Sequence, residues 1–439
     1  MKIGLESVQS LCVCVVLACC LLVAPGAQAK PLITSSETSL ARACLQQTQP
    51  PARLVDLCQA ALDVAALHQQ DRLELMVALG EAQLWADDAA AAEATLLSVL
   101  DQQPTHRDAL DALAWQYWEE DQYDEARSLF QTMVDAHGDE NGFGGLASIA
   151  RLADDNYEEA RRLIDIALAI DPGDDWFHRE SGWIHFEQEH HKPAVRAFEW
   201  AIKLDAEQVN SFYGLGRAYY GLARYEPALN AFSQAIELAP NTGYLHSWRA
   251  SSLYRMKRFR AAIKEARVAI RDDPTDPFAY VTKAASHRAL EEIQEAIDTY
   301  RAAVEAGAGD NYLHYWFAHS LFSEGRPREA LEQIDLALDF DGTAAVDHEL
   351  RADIALELEA LPTALEAARA AQSLAPEASY PVYQAALALL RSGETDAALA
   401  EFDRAVTLGP DEEMTRTFAR WLVRLGKPMA ALTLRQRNR

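Results

Sequence analysis

Small and large apolar residues recur along the chain with a period of 34 residues. Cutting at this interval from Leu73 through Glu412 gives ten frames without one insertion. Position 20 of every frame is alanine: Ala92, Ala126, Ala160, Ala194, Ala228, Ala262, Ala296, Ala330, Ala364 and Ala398. Position 8 is always small: Gly80, Ala114, Ser148, Gly182, Gly216, Ala250, Ala284, Ala318, Ala352 and Ala386. Such self-similarity predicts a repeat architecture instead of two or three ordinary domains.

Each frame is predicted to fold as two short helices that cross closely. The small residue at position 8 of the first helix would face the alanine at position 20 of the second, with larger residues at positions 4, 7, 11 and 24 filling the gaps. Proline is frequent at position 32, where it would end the second helix: Pro104, Pro172, Pro240, Pro274, Pro376 and Pro410. Because a single hairpin cannot cover its own apolar faces, the pairs must stack on one another. The pattern therefore predicts an all-α fold.

The frame from Val209 to Thr242, VNSFYGLGRAYYGLARYEPALNAFSQAIELAPNT, resembles the tetratricopeptide repeat family, here of an exported bacterial type. It carries most of the family's pattern of tryptophan, leucine, glycine, tyrosine, alanine, phenylalanine and proline. The resemblance implies a right-handed superhelical solenoid of antiparallel helix pairs. We expect a secretory signal peptide at 1–29, a helical hairpin at 30–72, ten repeats at 73–412, and a partial repeat or basic capping helix at 413–439.

The frames depart from the family pattern in two places. Histidine replaces the usual tryptophan at position 4 of four frames: His178, His246, His314 and His348. The glycine-rich sequence NGFGG, which starts at Asn141, is expected to weaken the first helix of its frame and to loosen the array there.

The amino terminus predicts export from the cytoplasm. Lys2 precedes the apolar run LCVCVVLACCLLVA, and small residues at Ala27 and Ala29 follow it. This pattern is typical of a secretory signal peptide, here cleaved after Ala29. The run is too short for a comfortable membrane span. A lipoprotein cut before Cys19 and an uncleaved anchor are the alternatives, and the expected location is the periplasm.

The expected mature chain retains two cysteines, Cys44 and Cys58. They flank LQQTQPPARLVDL, in which Pro50 and Pro51 would break one helix and turn the chain into the next. Two antiparallel helices would bring the cysteines together, and an oxidising compartment favours a disulfide. A redox-active pair is the alternative, but the close Cys-x-x-Cys spacing that lowers a thiol pKa is missing.

Motifs for catalysis or ligand chemistry are sparse in the sequence. The glycines of GLGRAYYG, from Gly214 to Gly221, resemble a phosphate-binding loop, but no strand precedes them and no lysine–serine pair follows, so packing is expected. The cluster HFEQEHHK, from His185 to Lys192, could hold zinc or copper, although His185 falls at a packing position. No metalloprotease, serine hydrolase or paired Cys-x-x-Cys motif occurs. We therefore expect no enzyme activity, no cofactor and no bound metal.

Aromatic residues are concentrated at positions that face ligands in the family. There the first helices line a concave face, and positions 2, 5, 9 and 12 reach outward from it. Here those forty positions carry fifteen aromatic residues, against 9% in the whole chain. The predicted partner-binding groove contains Trp115, Trp176, Arg179, Trp183, Tyr213, Arg217, Tyr220, Tyr244, Trp248, Tyr312 and Tyr315. Such a groove suits an extended peptide, a helix or sugar rings, and simple helix packing is the alternative.

Charge narrows the class of partner. The formal net charge of -27 argues against nucleic acid. Four basic residues recur at helical spacing on one second helix, as a solvated stripe or a site for an acidic partner: Arg260, Lys264, Arg267 and Arg271. Three more form one face of the last segment, as a solubilising cap or a contact for anionic membrane lipids: Arg416, Arg420 and Arg424.

The expected function is a non-catalytic scaffold or adaptor in the bacterial cell envelope that holds a protein or peptide in the aromatic groove. Related domains clamp the terminal carboxylate of a chaperone with lysine at position 5 and asparagine at position 9. In two neighbouring frames of this chain, these positions carry Arg179 with Trp183, and Tyr213 with Arg217. The alternative is a carbohydrate-binding accessory of exopolysaccharide secretion. This alternative is suggested because ALGEAQLWADDAAAAEATLLSVLDQQPTHRDALDALAWQYWEEDQYDEA resembles the periplasmic repeats of outer-membrane polysaccharide exporters.

Overall fold

The structure is a computed structural model that describes residues 39–63, 67–409 and 411–437. The predicted signal peptide and the alternative lipidation site at Cys19 lie outside these ranges. The chain forms two compact units, Met1–Arg224 and Tyr225–Arg439. Within the described ranges, every regular element is a helix.

Unit 1 holds eleven helices in its described part. In chain order they are α1 (Ser39–Leu45), α2 (Pro51–Leu62), α3 (Gln69–Trp85), α4 (Ala89–Gln102), α5 (Arg107–Glu119), α6 (Tyr123–His137), α7 (Glu140–Leu152), α8 (Tyr157–Ile170), α9 (Asp175–Glu187), α10 (His191–Leu204) and α11 (Val209–Gly221). Each helix packs against the next one along the chain.

Unit 2 holds thirteen helices in its described part. They are α12 (Tyr225–Leu238), α13 (Gly243–Arg255), α14 (Phe259–Asp272), α15 (Pro277–Ala289), α16 (Ile293–Glu305), α17 (Asn311–Ser323), α18 (Pro327–Phe340), α19 (Ala345–Glu357), α20 (Leu361–Leu374), α21 (Ser379–Arg391), α22 (Thr395–Leu408), α23 (Glu412–Arg424) and α24 (Pro428–Arg437). Short turns join the two helices of each pair, as in other αα-hairpins.

The helix starts follow the sequence period. Eight first helices begin at whole multiples of 34 residues from one another: α5, α9, α11, α13, α15, α17, α19 and α21. Three first helices start earlier than the frame boundaries. The α7 helix starts one residue early at Glu140, α3 starts at Gln69 before the first frame, and α23 starts at Glu412, the last residue of the tenth frame.

The small residues at positions 8 and 20 are buried in every repeat. All ten alanines at position 20 have 0% of their surface exposed, and all ten residues at position 8 are buried as well. At Gly80 and Gly182 the nearest side chain is that at position 24, Leu96 or Phe198, instead of the predicted alanine at position 20. A Cβ added at Gly182, for example, would lie 2.7 Å from the Phe198 ring. The predicted close crossing is therefore confirmed for the helix pairs that lie within one unit.

Position 15 of every frame turns the chain from the first helix into the second. Its φ is positive in all ten frames, at Asp87, Asp121, Asp155, Glu189, Ala223, Lys257, Glu291, Gly325, Glu359 and Gly393. In each of these turns the next backbone N–H donates back to a carbonyl five or six residues earlier, as from Gln122 to Tyr117 and from Glu394 to Leu389. This geometry is the usual left-handed ending of a helix. Because backbone hydrogen bonds hold the turn, the residue at position 15 need not be glycine.

Helices of the two kinds have different neighbours within each unit. First helices contact the first helices of adjacent pairs, for instance α5 with α7, α9 with α11, and α13 with α15. Among the described helices, second helices show no such mutual contact. We call the surface shared by the first helices the first-helix face, and the side chains at positions 2, 5, 9 and 12 belong to it.

The glycine-rich sequence NGFGG does not weaken its helix, so that prediction was wrong. The α7 helix runs unbroken from Glu140 to Leu152 and buries three glycines. A Cβ on Gly145 would lie 2.4 Å from the Phe130 ring, and one on Gly144 would lie 2.6 Å from the Phe177 ring. The glycines therefore let aromatic rings of the neighbouring helices approach the α7 backbone.

Substitution of Gly145 by alanine is expected to destabilise the protein. Alanine is the better helix former by about 1 kcal/mol, but the added methyl group would overpack the Phe130 ring, at a cost of about 1–3 kcal/mol. Urea denaturation should show a net loss of stability for Gly145→Ala. The control is Gly173→Ala at an exposed loop glycine whose added Cβ would meet only one side-chain oxygen at 3.3 Å. A stabilised Gly145→Ala protein would show that the contact with Phe130 is not tight.

The amino-terminal hairpin contains a disulfide in the structure. The sulfur atoms of Cys44 and Cys58 lie 2.02 Å apart, and both residues have 0% exposure. They pack between α1, α2 and α3 with Leu54, Ala61 and Leu75. Closing a loop of this length would contribute about 3 kcal/mol to stability. Whether the thiols are oxidised in the cell stays a prediction tied to export.

Candidate partner-binding site

All eleven residues of the predicted groove are half-buried. Each side chain packs on one side and keeps part of its surface accessible, which fits an anchor for a partner better than a core residue. In unit 1 these residues gather in two clusters, and in unit 2 they contact further aromatic rings.

The first cluster in unit 1 is built on tryptophans from α5 and α9. The ring of Trp115 lies edge to face against Trp176, with 5.0 Å between centroids, and against Trp118, with 5.5 Å. It also packs on the fully buried Phe130 at 5.0 Å. We call Trp115, Trp118 and Trp176 the tryptophan cluster. Trp118 occupies position 12, one of the four ligand-facing positions, but it is not among the residues of the predicted groove.

A carboxylate that the sequence analysis missed lies beside the tryptophan cluster. Oδ1 of Asp111 accepts hydrogen bonds from Trp115 Nε1 at 3.1 Å and from Asn141 Nδ2 at 3.3 Å. Burial, followed by the charge of Asp139, raises the pKa of Asp111 to about 7. Asp111 occupies position 5, one of the four ligand-facing positions. This frame position is the feature of the sequence that could have identified it.

The second cluster in unit 1 combines aromatic rings with an arginine. The Trp183 ring contacts Tyr213 at 5.8 Å and Phe186 at 5.8 Å. Arg217 lies over the Phe186 ring at 4.8 Å and donates to Tyr213 Oη at 2.8 Å. This arrangement keeps the guanidinium on an aromatic surface. The predicted residues Trp183, Tyr213 and Arg217 are thus brought together.

Arg179 is held by its own helix. Its Nη1 donates to Asp175 Oδ2 at 2.8 Å, one helical turn earlier, and both side chains are largely covered. Such a pair fixes the side chain but leaves little free charge for an anionic ligand. A neighbouring ion pair, Arg151 with Glu180, is buried more deeply and links α7 to α9 through distances of 2.6 and 3.0 Å.

In unit 2 the predicted residues lie on several first helices. Trp248 contacts Phe278 at 4.9 Å. Tyr312 and Tyr315 both lie against Trp316, at 6.3 and 5.3 Å between ring centroids. The sequence analysis missed Trp316, although it occupies position 6, as Trp248 does. Tyr244 is half-buried on α13, and in unit 1 Tyr220 is half-buried on α11.

The position-4 histidines anchor the loops between repeats. Their ring Nε2 lies within hydrogen-bond distance of the carbonyl oxygen six residues earlier: 3.0 Å from His178 to Pro172, 3.2 Å from His246 to Pro240, and 3.1 Å from His348 to Gly342. Histidine can therefore satisfy a loop carbonyl at the place where the family pattern has tryptophan. The fourth, His314, stacks on Phe340 at 5.6 Å.

The glycines that suggest a phosphate loop lie in helix α11. A Cβ on Gly214 would lie 2.4 Å from the Phe198 ring, and one on Gly221 would lie 2.6 Å from His191 Nε2. Gly216 is buried in the same helix. The expected packing role of these glycines is confirmed.

The basic stripe is exposed on the second helix α14. Arg271 pairs with the neighbouring Asp272 at 2.7 Å. Arg260, Lys264 and Arg267 are exposed and form no ion pair with the described part of the chain. The stripe lies on a second helix and therefore outside the first-helix face.

The basic face of α23 is partly neutralised. Arg416 pairs with Glu412 at 3.0 Å, and Arg424 lies over the Trp421 ring at 5.2 Å. On the opposite side Phe418 is fully buried. No helix in the described ranges is long and apolar enough to span a membrane.

The histidines near His185 do not form a metal centre. The His185 and His190 rings are 6.2 Å apart, and His191 packs against Phe186 at 5.4 Å. Burial lowers the pKa of His185, and the charge of His190 lowers it further. Among the residues that the structure describes, no group of three or more potential ligands could hold a metal ion.

Comparison with known proteins places this architecture in a family. The sequence model of the tetratricopeptide repeat matches residues 112–175, 213–277 and 349–413. No curated protein matches the chain.

Solved structures of low sequence identity are similar to parts of the chain. YrrB, described as a TPR protein with an unusual peptide-binding site, is 21% identical, with a TM-score of 0.39, and the match covers 42% of this chain and 96% of YrrB. The Cut9–Hcn1 hetero-tetramer of APC/C is 14% identical, with a TM-score of 0.43 and coverage of 92% and 93%. A tetratricopeptide repeat protein from Parabacteroides merdae is 15% identical, with a TM-score of 0.43 and coverage of 57% and 98%. The family match, the 34-residue register and the paired helices together show that this chain contains tetratricopeptide repeats.

Proposed function

We propose that the protein is a non-catalytic scaffold or adaptor that holds a peptide or protein partner on its first-helix face. Tetratricopeptide repeat proteins are generally non-catalytic and bind peptides or proteins. The observation that carries the proposal is the aromatic clustering on this face, where half-buried tryptophan and tyrosine rings keep accessible surface. Rigid aromatic anchors of this kind dominate the binding free energy at protein interfaces.

We also propose that the scaffold works in the bacterial cell envelope. The amino-terminal sequence pattern and the buried Cys44–Cys58 disulfide support export. Amino-terminal sequencing of the protein from a periplasmic extract should begin at Lys30. Recovery of the unprocessed chain from the cytoplasm would contradict this location. A lipidated chain beginning at Cys19 would keep the protein in the envelope but contradict cleavage after Ala29.

The scaffold function can be tested by site-specific photo-cross-linking. Trp183 on the first-helix face and Trp200 on the second helix α10 are each replaced by p-benzoylphenylalanine. Trp200 is 50% exposed, whereas Trp183 is half-buried. Non-specific collisions should therefore cross-link more readily through position 200 than through position 183. A defined envelope protein should cross-link through position 183 and not through position 200.

The identified partner is then purified and its affinity measured. Loss of two anchors in the Trp183→Ala, Tyr213→Ala variant should weaken binding at least about tenfold, as expected for central interface aromatics. Cross-linking only through position 200, or unchanged affinity in the variant, would overturn the proposal. Retention of oligosaccharide with no protein captured would support an accessory role in polysaccharide secretion instead.

A further inference from the structure

Negative charge is concentrated in the stretch that carries Trp115 and Trp118 of the tryptophan cluster. Residues 71–125 contain fourteen aspartates and glutamates but only two arginines, whereas residues 243–276 contain eight basic and four acidic residues. Of those two arginines, Arg107 is paired with Asp139 and with Glu140. The surface near the tryptophan cluster should therefore attract cations and repel anions.

Asp111 adds a fixed carboxylate to this negative region. Its hydrogen bonds come from the neutral donors of Trp115 and Asn141. Within the described part of the chain, no lysine or arginine forms an ion pair with it. Removing a carboxylate from water without a counter-charge is costly, so a bound cation would offset part of that cost.

The neighbouring indole rings supply the other half of a cation site. Trp115 and Trp176 meet edge to face, so their ring planes are steeply inclined at 76°. Trp118 adds a third ring, inclined at 73° to Trp115. Indole faces attract ammonium and guanidinium groups more strongly than other aromatic side chains do.

We propose that Asp111 and the tryptophan cluster bind a lysine or arginine side chain of a basic partner peptide. The carboxylate pairs with the cationic group, and the indoles pack against the cation and its methylene chain. The inference rests on the proposed scaffold function and adds the chemistry of the partner. A peptide is favoured over a polymer of amino sugars because tetratricopeptide repeats bind peptide or protein partners.

The direct test measures peptide binding to the full chain by fluorescence anisotropy. One labelled decapeptide contains four lysines among glycines and serines, and its control has norleucine at the same four positions. The lysine peptide should bind at least about tenfold more tightly, which corresponds to about 1.4 kcal/mol. Equal affinities for the two peptides would overturn the proposal.

Matched variants separate a specific site from general attraction to an acidic protein. Asp111→Asn and Asp101→Asn each remove one negative charge, but Asp101 is exposed outside the face. Only Asp111→Asn should weaken the lysine peptide, at least about tenfold. Equal effects of the two substitutions would show non-specific attraction. If Asp111→Asn fails to fold, Trp176→Leu provides the test, with Trp200→Leu as its control.

The pH dependence of affinity for the lysine peptide distinguishes a charged Asp111 from a residue that acts only through packing. Asp111 is neutral below its raised pKa, so affinity for the lysine peptide should rise between about pH 6 and 8, while lysine itself stays charged. The charged groups that act on Asp111 are Asp139, Arg107 and Asp108. His106 immediately precedes the same helix, so the rise in affinity must be absent in Asp111→Asn before it is assigned to Asp111. A rise that persists in that variant would contradict the role of Asp111.

Failure of this proposal can be distinguished from failure of the scaffold. If position 183 captures a partner but lysine peptides do not bind, the scaffold stands and the cation site is wrong. Tighter binding of glucosamine oligomers than of the lysine peptide would assign the site to a polysaccharide and overturn the peptide proposal.

Discussion

Replacing Glu180 by alanine is expected to cost about 3–5 kcal/mol of folding free energy, because the change leaves the charge of Arg151 buried without its partner. The two side chains are only 13% and 6% exposed, and two hydrogen bonds of 2.6 and 3.0 Å join them. They connect α7 to α9, which lie in successive repeats. Urea denaturation of the purified protein, followed by circular dichroism, measures the loss.

Two further variants isolate the cause of this loss. Glu158→Ala breaks a surface pair with Arg161, in which the glutamate is 71% exposed, and should cost less than about 1 kcal/mol. The double variant Arg151→Met, Glu180→Leu removes both charges and should recover most of the stability lost in Glu180→Ala. A double variant as unstable as the single one would mean that shape, and not the uncompensated charge, explains the loss.

Replacing Phe130 by alanine should cost about 3–5 kcal/mol, comparable to the loss at Glu180. Phe130 has 0% exposure, packs on Trp115 at 5.0 Å, and fills the space above Gly145. Its removal would leave a cavity among α5, α6 and α7. Because each repeat contacts only its neighbours, hydrogen exchange should accelerate mainly in these three helices.

The control for Phe130 is Phe340→Ala at a ring that is 60% exposed. It should lose less than about 1.5 kcal/mol, since the ring only stacks on His314. Equal losses at the two positions would contradict the burial argument. A uniform rise in exchange along unit 1 after Phe130→Ala would show stronger coupling between repeats than nearest-neighbour packing predicts.

Part of the candidate site could be predicted from the sequence. The frame positions correctly identified half-buried aromatics on the first helices, including Trp115, Trp176 and Trp183. They did not identify Asp111, which accepts a hydrogen bond from Trp115 one helical turn away and another from Asn141, a residue 30 positions away in sequence. Nor did they predict that the buried glycines of NGFGG admit Phe130. Glycine weakens a helix in isolation, but here close packing of a ring outweighs that local preference.

The sequence by itself determined the repeat unit. Helix pairing depends on residues at fixed spacing within one frame, and small residues at positions 8 and 20 allow the two helices to cross closely. The tertiary structure alone decided which side chains meet between frames, such as Arg151 with Glu180 and Trp115 with Trp176. Contacts of this kind depend on rotamers and on the offset between stacked pairs, which leave no periodic trace in the sequence.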